Sequence, residues 1–370
     1  MKVAIVINTS WNIYNYRRGI IKGLLAKGCG VLAVAPYDDY SEKLERIGCR
    51  YVSIRMDNKG ANPLKDLLLL WQFYSLYKKE KPDVILHYTI KPNVYGSLAA
   101  ALLGIPCISN VSGLGTTFLR KGAMWQLAKY LYRISFRFPK RIFFQNKDDR
   151  ELFVSLRLVD GNRTGLLPGS GIYLPDYPAI PNPSASVFSF LLIARLLTDK
   201  GIREYAQASR MLKNKGHQFR ALLVGFFDKQ GKYSISQMEL DEWCASGLIE
   251  FLGASDAIGK EIAKANCVVL PSYREGTPRS LLEAMAIGRP IVATNVPGCR
   301  EVVEEGRNGF LCEAQNVESL AMAMEKVLHL SADELGAMGN WGRKIVEERF
   351  GEEIIVKKYF DEIFAKESTC

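Results

Sequence analysis

The feature that most constrains this 370-residue chain is a series of short apolar runs alternating with helical patterns, interrupted once by prolines and then resumed. Lys2–Asn8, Gly30–Pro36, Arg50–Ile54, Asp83–His87 and Pro106–Val111 read as strands. Tyr16–Lys27, Asp39–Ile47, Pro63–Lys79 and Val94–Leu103 space their apolar residues as helices, with Asn62 as an N-cap before Pro63. Near-continuous apolar strands separated by helices predict parallel sheets covered on both faces. The series reaches Lys140–Gln145, then collapses between Pro168 and Ser186 among Pro168, Gly169, Gly171, Pro175, Pro178, Pro181 and Pro183. It restarts with Val187–Ala194 and continues through Gln218–Gly225, Ile249–Gly253, Cys267–Leu270 and Ile291–Thr294. A chain this long exceeds one core. The expected organisation is α/β: one doubly wound domain over residues 1–172, a linker over 173–184, a second such domain over 185–350, and a C-terminal helix within 351–370.

Within the second series, Pro271–Pro290 carries the strongest functional signal. A buried strand runs into a tight loop, with Gly276 for an unusual turn, Thr277 as N-cap and Pro278 at the first helical position; Gly288 and Pro290 end the helix. A helix N-terminus at the carboxyl end of a parallel strand is an anion site. Glu275 and Glu283, with seven residues between them, flank it. Neither carboxylate suits a phosphate, but each accepts hydrogen bonds from a sugar diol. Sugar, diphosphate and ribose in series describe a nucleotide-sugar. Arg195 and Lys200, beside the end of the Val187–Ala194 strand, add two cations able to clamp a diphosphate.

Charge divides the chain. Residues 1–170 hold 26 Lys and Arg against 12 Asp and Glu, a net of +14, and residues 171–370 hold 23 against 27, a net of −4, which together give +10. The basic first half predicts an anionic surface or acceptor as its partner. A nucleic-acid-binding protein is the rival reading from another class, but no recognition motif or aromatic–basic signature supports it. The eight cysteines are scattered and the three histidines show no ligand spacing with them. There is no Asp-x-Asp. These features predict no metal, no cofactor and the reduced thiols of a cytoplasmic protein. The apolar N-terminus meets Asn8 too early for a signal peptide, and no run reaches the length of a membrane span.

Pro271-Ser272-x-x-Glu275-Gly276 with Glu283-Ala284, followed by Gly288–Thr294, Pro297-Gly298, Glu301 and Asn308–Leu311, resembles the retaining glycosyltransferases of family 4. The resemblance extends over most of the chain and is closest to bacterial enzymes that build glycans on a lipid carrier. It implies the GT-B fold: two Rossmann-like domains facing across a cleft, the last helix crossing back to the first. It further implies transfer, with retention, from a UDP-sugar of the Gal, GalNAc or GlcNAc type to a glycan on a polyprenyl diphosphate. Arg195 and Lys200 would hold the donor diphosphate, with backbone at Gly276 and Thr277. Gly253 and Ala254 would face the base, Glu275 the sugar and Glu283 the ribose. The acceptor would meet Ser10, Trp11, Asn12, His87, Lys91 and Ser112, with His87 at a strand end also a candidate catalyst. Many family members carry Gly-Gly in the first loop and His near position 112, where this chain has Ser10-Trp11-Asn12 and Ser112. The enzymatic alternative is a hydrolysing nucleotide-sugar epimerase of the same fold.

Arg120–Arg141 holds seven cations and no acid. As a helix from Ala123 it would align Lys129, Arg133 and Arg137, bury Met124, Leu127, Leu131, Ile134 and Phe138, and flank the basic stripe with Trp125, Tyr132 and Phe136. The expected partner is an anionic membrane, and the expected location the inner face of the cytoplasmic membrane.

Overall fold

Strands buried on both faces need helices on both sides, and the computed structural model of the chain builds that arrangement twice. It describes all residues except 58–61, 115–121, 185–186, 228–233 and 366–370; Arg120 of the basic segment is among those excepted. Two compact units result: Met1–Gly171 with the stretch from Glu352 onward, and Ile172–Gly351.

In the first unit the chain runs β1 (Lys2–Val6), α1 (Ser10–Tyr16), α2 (Arg18–Ala26), β2 (Gly30–Ala35), α3 (Ser41–Arg46), β3 (Arg50–Ser53) and α4 (Pro63–Glu80). It continues through β4 (Val84–Tyr88), α5 (Ser97–Leu102), β5 (Cys107–Val111), α6 (Ala123–Ser135), β6 (Arg141–Phe144), α7 (Lys147–Ser155) and β7 (Thr164–Leu166). The strands pair in parallel in the order β3-β2-β1-β4-β5-β6-β7. The second unit holds β8 (Phe188–Ile193), α8 (Ile202–Asn214), β9 (Phe219–Val224), α9 (Gln237–Ala245), β10 (Glu250–Gly253), α10 (Ile258–Lys264) and β11 (Cys267–Leu270). Then come α11 (Arg279–Ile287), β12 (Ile291–Thr294), β13 (Gly309–Cys312), α12 (Val317–Leu328) and α13 (Ala332–Ile345). Its parallel order is β10-β9-β8-β11-β12-β13. The last helix, α14 (Glu352–Ile363), packs in the first unit, where Ile355, Tyr359 and Ile363 join the core of β1, β2 and β4. Each sheet reverses its direction of growth once, between β1 and β4 and between β8 and β11, and ligands of open α/β sheets bind at such points.

The local capping chemistry explains several boundaries. Asn62 accepts from Leu64 N and Lys65 N, with Pro63 at the first turn of α4. Gly288 ends α11 in the left-handed conformation at φ 89°. Three local expectations change. Ser10, Trp11 and Asn12 form the first turn of α1, capped by the Thr9 side chain, and are not loop. The expected helix over 16–27 breaks at Arg17, which separates α1 from α2. Helix α11 starts at Arg279 with Pro278 at the cap and no side-chain cap, so Thr277 is not its N-cap. Strands β7 and β13 are additions to the expected series.

The segment over 173–184 is seated on the second unit. Arg289, fully buried, reaches five carbonyls: its Nη1 donates to Ile180 O at 2.7 Å and Gly288 O at 3.4 Å, its Nη2 to Ala263 O at 2.8 Å and Pro181 O at 3.1 Å, and its Nε to Ile262 O at 3.3 Å. Arg343 Nη1 donates to Tyr177 O and to Ala286 O, both at 2.6 Å. Prolines leave carbonyls without neighbouring N–H donors of their own, and the two guanidinium forks satisfy them. Burial pulls Arg289 down to about 10, which leaves it charged at neutral pH. Replacing it by Met would orphan these acceptors. Arg289→Met should destabilise the second unit by about 3 kcal/mol, read as a lowered urea midpoint, and an unchanged midpoint would show that the carbonyls find other donors.

Candidate active site

The site is assembled where β8 and β11 lie side by side. The chain leaves β8 through Arg195, which is exposed, and turns through a 3-10 turn at Thr198–Lys200 into α8. It leaves β11 through 271–278 into α11. The two loops are locked together: Tyr273 N donates to Asp199 O at 2.9 Å, Ser272 Oγ donates to the same oxygen at 3.1 Å, and Thr294 Oγ1 at the end of β12 donates to Ser272 O. Their backbones touch at glycines. Gly201 holds φ 71°, and a Cβ there would run into the carbonyl oxygen of Pro271. Gly298 holds φ 83°, and a Cβ there would strike the carbonyl oxygen of Gly276. Only glycine meets both demands, on conformation and on space.

This packing brings Lys200 Nζ to Glu275 Oε1 at 2.5 Å, both side chains largely but not wholly buried. Glu275 and Lys200, expected separately from sequence, are therefore one ion pair beside the start of α11, and Gly276 and Thr277 lie immediately before that helix. Gly253 ends β10 with φ 76°, and its carbonyl accepts from Gly225 N at 2.9 Å; Ala254 follows, exposed. A contiguous edge thus runs from β10 through β9 and β8 to β11.

Glu283 is buried within α11, and its Oε1 accepts from Tyr177 OH at 2.8 Å and from Arg279 Nε at 2.7 Å. Both donors converge on one oxygen, which fixes the carboxylate plane. Burial, then the adjacent Glu283 charge, pushes the Tyr177 hydroxyl well above its ordinary value, so it stays a donor. Neither partner was expected. Arg279 was legible as the i, i+4 partner of Glu283, whereas Tyr177 lies in the proline-rich stretch and no sequence pattern points from it to α11.

In the first unit the structure buries two of the expected acceptor residues. His87 is fully buried, its Nε2 2.9 Å from Tyr77 OH and its Nδ1 3.2 Å from Ser97 Oγ. Burial lowers it to about 3, so the ring is neutral at physiological pH. Strand alternation turns His87 toward α4 and α5, within the core, and leaves it no part in catalysis or acceptor binding. Ser10 is fully buried, bonding to Pro36 O at 3.1 Å and to Ser41 Oγ at 2.9 Å. Lys91 pairs with the buried Asp66 of α4 at 2.8 Å. Trp11 and Ser112 are exposed, Ser112 Oγ donating to Asn110 Oδ1 at 2.8 Å. Asn12 is half-buried, with Oδ1 buried and lacking a partner.

Helix α6 is turned otherwise than expected. Tyr132 and Phe136 are in the core against Phe153, while Met124, Leu127 and Phe138 are exposed with Tyr130. The i, i+4 aromatic pair buries more apolar area than the aliphatic stripe and sets the rotation. Lys129 Nζ lies over the Trp125 ring at 3.9 Å, Arg133 is exposed and donates to Leu156 O at 3.1 Å, and Arg137 is exposed just beyond the helix end.

Comparison with known proteins fits this edge. Residues 2–146 match the family described as "Glycosyl transferase 4-like", and residues 188–329 the family "Glycosyl transferases group 1". The chain belongs to the GT-B glycosyltransferases. Over 378 aligned residues, and 97% of both chains, this glycosyltransferase is 29% identical to the N,N'-diacetylbacillosaminyl-diphospho-undecaprenol alpha-1,3-N-acetylgalactosaminyltransferase of Campylobacter jejuni. It is 24% identical, over 75% of its own length and 72% of the relative's, to the UDP-Gal:alpha-D-GlcNAc-diphosphoundecaprenol alpha-1,3-galactosyltransferase of Escherichia coli. Among solved structures, Anabaena HepE in complex with UDP and glucose superposes with a TM-score of 0.81 at 20% identity, covering 99% of this chain and all of HepE, a likeness of fold.

The Lys200–Glu275 pair makes a distinctive forecast for the glycosyltransferase. If Lys200 receives a nucleotide diphosphate, that ligand must compete with Glu275 for the ammonium group. Glu275→Gln should therefore tighten UDP binding roughly threefold or more, read by calorimetry, while transfer falls on the order of a hundredfold. Weaker UDP binding in that variant would contradict the competition.

Proposed function

We propose that the enzyme moves a galactose or N-acetylhexosamine unit, with retention, from a UDP-sugar to a hydroxyl of a glycan carried on a polyprenyl diphosphate. The observation that carries this reading is the Lys200–Glu275 pair at the β8–β11 switch point, beside Arg195 and the uncapped start of α11. The names of the two relatives support the donor and acceptor classes, because both describe transfer to diphospho-undecaprenol-linked sugars, one from UDP-Gal. Bound UDP in HepE supports the nucleotide.

Chemically, the anomeric carbon parts from the β-phosphate through an oxocarbenium-like state. Arg195, Lys200 and backbone N–H groups at Gly276 and Thr277 stabilise the charge gathering on the leaving diphosphate. Glu275 orients the sugar hydroxyls. Glu283, with Oε1 occupied by Tyr177 and Arg279, offers Oε2 to the ribose diol. Backbone at Gly253 and Ala254 receives the base. No enzymic nucleophile takes part: the acceptor hydroxyl attacks on the face the diphosphate leaves, and the departing phosphate takes its proton. The two cations supply the charge that a divalent metal would otherwise provide, so catalysis is metal-independent. Trp11, Asn12 and Ser112 stay as acceptor contacts.

The acceptor's lipid places the enzyme at the inner face of the cytoplasmic membrane. Exposed Met124, Leu127, Tyr130 and Phe138 beside Arg133 and Arg137 support contact between α6 and anionic lipid, with Trp125 and Lys129 adjoining. Helix α4 adds a second exposed apolar stripe, Leu64, Leu67, Leu68 and Trp71, and its acids Asp66 and Glu80 are buried in ion pairs, so its exposed charges are all lysines. No described helix is long and apolar enough to cross a membrane.

The decisive experiment is transfer from purified UDP-Gal, UDP-GalNAc and UDP-GlcNAc to a short-chain polyprenyl-diphosphate sugar, with chelator present. An α-linked product from a UDP-α-sugar is expected, undiminished by chelator; free sugar epimerised at C2 would instead favour the epimerase. Pelleting with anionic liposomes should fall steeply with salt, each cation contributing about 1 kcal/mol. Lys129, Arg133 and Arg137 changed together to Gln should abolish it; full pelleting by that variant, lost instead in Leu67→Ser/Trp71→Ser, would move the contact to α4.

A further inference from the structure

The first unit has its own switch point, between β1 and β4, and a charged group is buried there that the reaction as derived does not use. Arg17, at the break between α1 and α2, is 5% exposed. No carboxylate pairs with it among the described residues. Its Nη1 donates to the carbonyl of its neighbour Tyr16 at 2.8 Å, its guanidinium carbon lies 4.3 Å from the centre of the Tyr88 ring at the end of β4, and its Nε is buried with no partner. A stacked phenol and one carbonyl compensate a guanidinium poorly; buried arginines are otherwise paired, as Arg289 is with five carbonyls.

The surroundings are polar and over-determined. Tyr88 packs on Tyr359 of α14, and Asn110 Nδ2 donates to Tyr359 OH at 3.1 Å. Asn93 Nδ2 donates to Asn110 O at 2.8 Å, while Asn93 Oδ1, on a side chain 1% exposed, has no partner. Thr89, the residue after Tyr88, holds φ 64°, in the left-handed region that a β-branched side chain avoids. Asn93 itself lies in a π-helical turn over Pro92–Gly96. A buried cation with no carboxylate partner among the described residues, an orphaned polar atom and a strained backbone therefore meet at the carboxyl edge of two neighbouring strands.

We propose that Arg17 is an anion-binding residue of the first unit and takes the phosphate of the acceptor, with Asn93 as a neighbouring polar contact. This rests on the reading of the acceptor as a lipid diphosphate. Planar, always charged and bidentate, a guanidinium suits a phosphate that comes and goes with each turnover. A charge kept unpaired for a ligand is held against stability, and that separates this role from a structural one.

The test uses the full-length enzyme. Arg17→Met keeps the stem and removes the charge. In phosphate-free buffer it should unfold at a temperature equal to or above wild type, because the buried charge is gone. With the donor site saturated by UDP, inorganic pyrophosphate should raise the wild-type midpoint and leave that of Arg17→Met unmoved. In transfer, KM should rise roughly tenfold or more for a diphosphate-linked acceptor and stay unchanged for the same sugar on a neutral alkyl chain, with UDP affinity unaltered. Arg17→Lys, which keeps the charge and loses the fork, should fall between. A destabilised Arg17→Met that still responds to pyrophosphate overturns the proposal, as does an Arg17→Lys enzyme with wild-type KM for the diphosphate acceptor. Should wild type transfer to no diphosphate-linked acceptor, the functional reading fails, while the pyrophosphate comparison still decides whether Arg17 binds an anion.

Discussion

The close approach of two loop backbones at the end of β8 and β11 is the constraint on which the proposed donor edge depends. The chain cannot bring Lys200 within reach of Glu275 unless Gly201 lies against the carbonyl of Pro271, and it cannot hold the 271–278 loop there unless Gly298 lies against Gly276 from the other side. Both glycines also sit at positive φ. Side chains contribute the hydrogen bonds of Ser272 and Thr294, but these act on a geometry that the missing Cβ atoms permit. The charged groups of the site are therefore positioned by rigid backbone rather than by their own flexible stems, which suits electrostatic stabilisation of a short-lived charge.

The same economy of buried charge recurs across the chain with different outcomes. Asp66 and Glu80 of α4 are turned inward, and each is met by cations: Lys91 for the first, Lys2 and Arg50 for the second. Arg289 is met by carbonyls of a proline-rich segment that has few donors of its own. These pairings are complete and structural. Because they seat residues 173–184, they also explain why a stretch that reads as a linker behaves as part of the second unit.

What the sequence made legible follows from what periodicity encodes. Apolar strands and the alternation with helices marked two parallel sheets, and the loop-to-helix chemistry of 271–290 marked the strand end on which the proposed donor site rests, because both are local signals. Side-chain direction at a strand end is less local. His87 and Tyr88 are adjacent in β4, yet the first faces α4 and α5 and the second faces Arg17 and α14; choosing between them requires knowing which helices cover which face. Helix α6 carries apolar residues on two faces, so the periodicity supports two rotations, and the ring packing of Tyr132 and Phe136 on Phe153 decides. Tyr177 reaches Glu283 across 106 positions of sequence, a distance over which no single-sequence pattern extends.

The two switch points also differ in a way that bears on how such an enzyme handles two anionic substrates. Around β8 and β11 the cation Lys200 is paired with Glu275, so on the proposed reading a nucleotide diphosphate binds there by an exchange of partners. Around β1 and β4 the guanidinium of Arg17 has no such counter-ion among the described residues and rests on a phenol ring. A site that must release a charged product after each cycle is served by an internal competitor that takes back the cation. A site that must capture a phosphate anchored on a lipid gains more from a cation held ready in a low-dielectric setting, at the expense of stability when empty. On the proposed reading, the contrast between a lysine paired with a carboxylate and an arginine with no carboxylate partner among the described residues follows from what each half of the chain has to let go.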